Sequence, residues 1–198
     1  MALNISPLSE TNWKDFEKLF GPKGACAGCW CMYWRIPKKD FASGKGSGNK
    51  RRMKQLVAKG KFAGLLAYSG KEALGWCSLG PREEFPALDR SKILARIDEK
   101  AVWSIVCFFI DKSWRKKGLS TLFLKEIVSY AGKKGVKILE GYPIDTDQEH
   151  YPSTFAWTGF YKSFRQAGFK EAARRSPTRP IMRLTLTPTL TLSLTPTP

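Results

Sequence analysis

A mixed α/β domain, its sheet built from antiparallel hairpins plus one parallel crossover, is the fold class this sequence predicts. Three observations predict it. Short stretches rich in β-branched and aromatic residues recur along the chain, bounded by Gly, Pro and Ser. Amphipathic segments of helical period separate some of these stretches, while others are joined by tight turns. One apolar stretch, residues 101–110, runs through a tight turn into an amphipathic helix and then into a second apolar stretch, the unit that yields a parallel pair.

The elements follow in order. Residues 3–6 read as a short strand. Residues 12–20 read as a helix with Trp13, Phe16, Leu19 and Phe20 on one face, ended by Gly21-Pro22. A Cys-, Trp- and Tyr-rich loop spans 26–35, and the glycine-rich stretch 44–50 reads as a flexible connector. Residues 49–59 read as a helix burying Met53, Leu56 and Val57, closed by Gly60. Residues 62–68 and 73–79 flank a hairpin turn. Residues 81–98 read as a loop with a short helix. "AVWSIVCFFI", 101–110, is apolar on both parities, as in a strand covered on both faces. A helix over 118–133, a strand over 136–142, a loop with Asp145, Asp147 and His150, a helix over 157–167, and strands over 169–174 and 181–184 complete the domain. The domain is assigned to 1–184. "TLTPTLTLSLTPTP", 185–198, is a short-period, proline-punctuated segment that reads as a disordered tail.

The chain has 198 residues, enough for one domain with a real core. No apolar run reaches the ~18 residues of a membrane span, and no signal-peptide pattern is present, so a cytoplasmic protein without membrane attachment is expected. The cysteine count of 5 is odd, which reads as reduced thiols. The formal net charge of +17 attracts polyanions, whether nucleic acid, acidic lipid or a phosphorylated small molecule, without choosing among them.

The stretch "DKSWRKKGLSTLFLKEI" does choose. Arg115, Lys116 and Lys117 sit directly before a helix whose own N-terminal dipole is positive. Cations there are mildly destabilising, by about 0.3–1 kcal/mol each, unless an anion offsets them. Gly118 permits close approach to the backbone, and the first-turn N–H groups lack helical partners. Together these features describe a phosphate or pyrophosphate site. The pattern is neither Walker A nor a dinucleotide fingerprint.

Arg115-Lys-Lys-Gly118-Leu-Ser120 resembles the acyl-CoA-binding motif of the GNAT N-acetyltransferase superfamily, Arg/Gln-x-x-Gly-x-Gly/Ala, with Ser120 departing at the last position. "CFFIDKSWR" before it, "VKILEGY" after the helix, and "FYKSFRQAGF" with its Gly-Phe end are similar to the same family, and the element order agrees over 1–184. The resemblance implies a mostly antiparallel sheet of six to seven strands, helices on both faces, and a splayed fourth and fifth strand. It implies acetyl-CoA as cosubstrate, with pantetheine pairing the backbone of Phe108, Phe109 and Ile110 and diphosphate resting on Arg115, Lys116, Lys117, Gly118, Leu119 and Ser120. The acceptor amine, of a small molecule or a peptide, attacks the thioester directly in a ternary complex. A monomer or homodimer is expected, and no metal. A longer acyl donor stays open.

Many members carry a general-acid tyrosine four residues before the Gly-Phe pair. Phe164 stands there, so Tyr161, one turn earlier, is the candidate acid, the alternative being water or no acid at all. Glu140, a carboxylate in an apolar strand that needs a partner or a raised pKa, is the first candidate base, followed by His150, Glu83 and Glu84. Tyr142 is also placed to face the gap. Cys26, Cys29 and Cys31 form Cys-x-x-Cys-x-Cys, short of a four-ligand zinc set whose fourth member could come only from Cys77, Cys107 or His150; packing is the main reading, with metal binding or a redox-reactive thiol as the alternatives. Trp30, Tyr33 and Trp34 beside them suit an apolar or cationic acceptor. The alternative is a catalytically lapsed basic module on this fold, docking on nucleic acid or another polyanion.

Overall fold

The computed structural model describes residues 3–146, 151–152 and 155–187. The strands are β1 (Asn4–Pro7), β2 (Leu65–Ser69), β3 (Glu72–Pro81), β4 (Trp103–Ile110), β5 (Ile138–Gly141), β6 (Lys170–Arg174) and β7 (Pro180–Thr185). The helices are α1 (Trp13–Phe20), α2 (Lys38–Ser43), α3 (Ser47–Ala58), α4 (Leu119–Lys133) and α5 (Tyr161–Gln166). One seven-stranded sheet runs β1-β2-β3-β4-β5-β7-β6, antiparallel throughout except for the β4–β5 pair, which α4 connects. This is the mixed, mostly antiparallel sheet the sequence predicted.

Two apolar layers cover the sheet. On one face α1 buries Trp13, Phe16, Leu19 and Phe20 with α3 residues Met53 and Val57, against Trp76 and Val106. On the other face α4 buries Leu119, Phe123, Leu124, Ile127 and Ala131 with Phe164 and Phe169, against Ile105, Phe108 and Ile110. β4 therefore faces apolar material on both sides, as its unbroken apolar run implied. The alternation along β4 changes phase once. Ser78 pairs with Cys107 and Leu79 with Ile105, so Val106 is an extra residue. Such a bulge bends the strand locally. It sits where β5 departs, since the last β4–β5 pair is Ile105–Gly141. From Val106 to Ile110, β4 runs without β5, which is the divergence the resemblance implied.

Several elements differ from expectation, each for a local reason. The helix expected over 157–167 is confined to Tyr161–Gln166, because Gly159 takes φ +88° and Phe160 forms a parallel bridge with Ile144. Over 81–98 only a 3₁₀ turn, Arg82–Glu84, forms with further turns, and the buried Arg82 side chain bonds the Leu94 carbonyl instead. Helix α2 follows Pro37 and buries nothing, so it had no apolar period to reveal it. The connector expected to be flexible is pinned: the Gly46 amide donates to the Gly28 carbonyl at 3.0 Å, and Ser47 already starts α3. At the far end Thr185 pairs with Ile138, and the Leu186 amide donates to the Lys137 carbonyl at 2.8 Å, so residues 185 and 186, assigned to the tail, extend the sheet. Asp147 and His150 lie outside the described residues.

Candidate active site

The turn before α4 is built for backbone exposure. Lys116 (φ +60°) and Gly118 (φ +74°) both take left-handed conformations, which swing successive amides toward one side. Gly118 is the helix N-cap, no side chain caps the helix, and its first turn holds no acidic residue. A Cβ at Gly118 would meet nothing within 4 Å, so the space above it is open. Lys116 and Lys117 are exposed beside it, and Lys117 Nζ lies 5.2 Å over the Trp114 ring. Leu119 points the other way, into the core, and Ser120 is half-buried. Arg115 is half-buried: its Nε donates to the Ile110 carbonyl at 2.9 Å and its guanidinium lies over the Phe109 ring. The first cation of the cluster thus fastens the turn to the end of β4.

Beyond the bulge, the edge of β4 meets the segment before α5. The Phe108 amide donates to the Trp157 carbonyl at 2.6 Å. Of the three residues expected to pair with a ligand, Phe108 is thus engaged through its N–H and Ile110 through its carbonyl. Phe109 turns its ring to Phe20, 5.5 Å away.

Below the divergence lies a buried ionic hub. Glu140 is 1% exposed. Its Oε1 accepts from Arg82 Nη1 at 2.8 Å and from the Tyr142 hydroxyl at 2.6 Å, and its Oε2 accepts from Arg183 Nε at 2.7 Å. Arg82 continues to Asp89, Arg183 makes two bonds to Asp98, and Tyr142 shares a hydrogen bond with Ser104. Burial, then the adjacent Glu140 charge, pushes the Tyr142 hydroxyl well above the usual tyrosine range. Glu140 had been read as a base facing the gap. The geometry corrects that reading: both oxygens are committed to cations and a phenol, so the carboxylate holds β5 to β7 and to the loop after β3.

Phe164 is fully buried, with its ring against Gly141 and Gly159 and 4.9 Å from Phe169. Tyr161 opens α5, half-buried, and its hydroxyl accepts from Arg165 at 3.4 Å. Glu83 pairs with Arg96 at 3.0 Å; a bond to its own backbone N–H and the Arg96 guanidinium hold its carboxyl below the usual range. Glu84 lies 3.7 Å from Arg35.

The loop of residues 24–36 carries Ala25, Ala27, Trp30 and Cys31 in left-handed conformations. Such backbone persists only where packing enforces it. Here Trp30 stacks on Phe20, while Arg35 donates to the Ala63 carbonyl at 2.9 Å and lies 4.4 Å over Phe85. Tyr33 meets Trp34, Phe41 and Trp157 edge-on at 4.8, 5.2 and 5.5 Å. Cys31 is buried against Cys107.

A sequence model described as the acetyltransferase (GNAT) family matches residues 30–160. The chain belongs to the GNAT acetyltransferase family. Solved structures agree on the fold. The PaiA N-acetyltransferase of Thermoplasma acidophilum, in complex with coenzyme A, is 13% identical with a TM-score of 0.51, over 93% of this chain and 99% of that one. AAC(6')-Ib, in complex with paromomycin and acetyl-CoA, is 12% identical with a TM-score of 0.56, over 93% and 94%. An N-acetyltransferase of Staphylococcus aureus Mu50 is 13% identical with a TM-score of 0.52, over 94% and 100%. No curated protein matched the sequence.

In this GNAT domain the turn of 115–120 and the part of β4 that β5 has left lie end to end, linked by Arg115. Two residues of the buried hub, Arg82 in "PREEF" and Arg183 in the last strand, were not singled out in the sequence reading. The one available signal was Glu140, an acid in an apolar strand that had to find cations. Among the described residues no helix is long and apolar enough to cross a membrane.

Proposed function

We propose that the protein transfers an acetyl group from acetyl-CoA to an amine by direct attack in a ternary complex. The observation that carries this is the left-handed turn at Lys116 and Gly118, opening onto the end of β4 where β5 has left. Amides of 117–120 hold the diphosphate, with Lys116 and Lys117 offsetting its charge. The Phe108 N–H, released from Trp157, polarises the thioester carbonyl. The aromatic loop around Tyr33, Trp34 and Trp157 receives the amine. Tyr161 is the proposed proton donor to the leaving thiolate, since Phe164 has no proton to give. With Glu140 committed to its hub, the attacking amine loses its proton to solvent. The AAC(6')-Ib structure holds an aminoglycoside, which supports a small-molecule acceptor without naming one.

Calorimetric titration of CoA tests the turn. Gly118→Val puts a branched side chain over the amides and abolishes binding. Gly118→Asn, which tolerates left-handed backbone, keeps the fold and still weakens binding at least tenfold. Unchanged affinity in a folded Gly118→Val protein refutes the site. Release of free thiol across a panel of amines identifies the acceptor class.

A further inference from the structure

We propose that Cys31 and Cys107 are an oxidation site: they close an intramolecular disulfide, loaded through Cys29, that fastens the aromatic loop to β4. The two residues are 76 positions apart, yet the Cys31 thiol donates to Cys107 Sγ at 3.0 Å. The sulfurs need approach only about 1 Å further to reach bonding distance. Trp76 Nε1 donates to Cys31 Sγ at 3.1 Å, a bond that favours the thiolate and so the nucleophile. Cys29 is half-buried and hydrogen-bonded to Cys31, while Cys31 and Cys107 are buried, so the route inward from solvent is Cys29, Cys31, Cys107. Among the described residues no group of three His, Cys, Asp or Glu is placed to hold a metal ion.

The exchange balances with a low-molecular-weight disulfide as oxidant. The Cys29 thiolate attacks the disulfide, forming a mixed disulfide and releasing one thiol. Cys31 attacks Cys29 Sγ, releasing the second thiol. Cys107 attacks Cys31 Sγ, returning Cys29 to the thiol. In sum, two protein thiols are oxidised and one external disulfide is reduced to two thiols. The hydrogen bond to Cys31 and then burial raise the Cys29 thiol, and burial raises the Cys31 thiol, well above the usual range, so closure is slow and is set by the supply of thiolate. Cys107 directly precedes Phe108, so the closed bond ties the loop to the strand whose amide meets Trp157.

The test uses the intact, natively folded protein and oxidised glutathione as probe. Free thiols are then alkylated under denaturing conditions, and the peptides are mapped by mass spectrometry. The expected product loses about 2 Da, contains a Cys31–Cys107 linked peptide, and reverts with dithiothreitol. Cys29→Ser slows closure at least tenfold without changing the product, and Cys77→Ser leaves the rate unchanged. Cys107→Ser stops at a Cys29–Cys31 bond or a mixed disulfide. Full alkylation of Cys31 and Cys107 in the treated parent, or a final product confined to Cys26 and Cys29, overturns the proposal. Because the readout is covalent mass, it stands or fails independently of acetyl transfer.

Discussion

Replacing Glu140 by Gln removes one charge from the buried hub and leaves its shape nearly intact. Arg82, 1% exposed, then keeps Asp89 and the Leu94 carbonyl but loses its only fully buried anion. Arg183 keeps Asp98, yet its Nε–H now faces either the amide oxygen or the amide nitrogen. Whichever way the amide turns, one former donor meets another donor. Breaking a buried ion pair by removing one partner costs about 3–5 kcal/mol. The remaining anions and one surviving acceptor oxygen place this variant at the low end, about 3 kcal/mol. For a chain of this size that lowers Tm by about 6–12 °C. Urea denaturation of the parent, Glu140→Gln, Arg82→Met and the double variant measures both the loss and the coupling. The double variant is expected to be more stable than the sum of the single losses, because each single variant strands a charge. A Glu140→Gln protein within about 1 kcal/mol of the parent, but with acetyl transfer reduced a hundredfold, refutes the structural assignment and restores Glu140 as a base.

Gly141→Ala is expected to cost about 1–3 kcal/mol in urea denaturation, since the new methyl overlaps the Phe164 ring in a closed core; a neutral result places that ring elsewhere. Tyr161→Phe is expected to lower kcat while leaving CoA affinity unchanged; an unchanged kcat removes Tyr161 from proton transfer. Asp98 is held below the usual carboxylate range chiefly by Arg183, and Asp111 chiefly by the Ser113 hydroxyl. Lowered folded values mean that their stabilisation is complete above the unfolded pKa and is lost as pH falls through the folded one, so Tm is expected to fall below about pH 4. A Tm constant from pH 7 to pH 3 contradicts that linkage.

What the sequence disclosed, and what it hid, follows from the range of the interactions concerned. Helices α1 and α4 were readable because Trp13, Phe16, Leu19 and Phe20, and Leu119, Phe123 and Ile127, repeat at the helical period within a single segment. The turn at 115–120 was readable for the same reason, since its glycine, its cations and its helix are contiguous. The shortened α5 was hidden because Phe160 pairs with Ile144, sixteen residues away, and a window of helical period cannot see that competition. The bulge at Val106 was hidden because it is a mismatch between two strands, and β4 alone looks regular. Glu140 was flagged as a problem and its solution was missed, because Arg82 and Arg183 lie 58 and 43 residues away. The convergence of Cys31 and Cys107 has the same origin.

These long-range features meet at Trp157. Its carbonyl takes the Phe108 amide, while its ring lies 5.5 Å from Tyr33 and 5.7 Å from Trp34. A thioester that uses the Phe108 amide has to displace that carbonyl. The ring of the same residue forms one wall of the aromatic loop, so in the proposed reaction Trp157 touches both the amide that the thioester uses and the acceptor pocket. Any coupling that results is reciprocal: the factor by which CoA changes acceptor affinity is the factor by which the acceptor changes CoA affinity. Gly159, at φ +88°, gives this segment its turn into α5. The turn that broke the expected helix therefore also delivers the Trp157 carbonyl to β4.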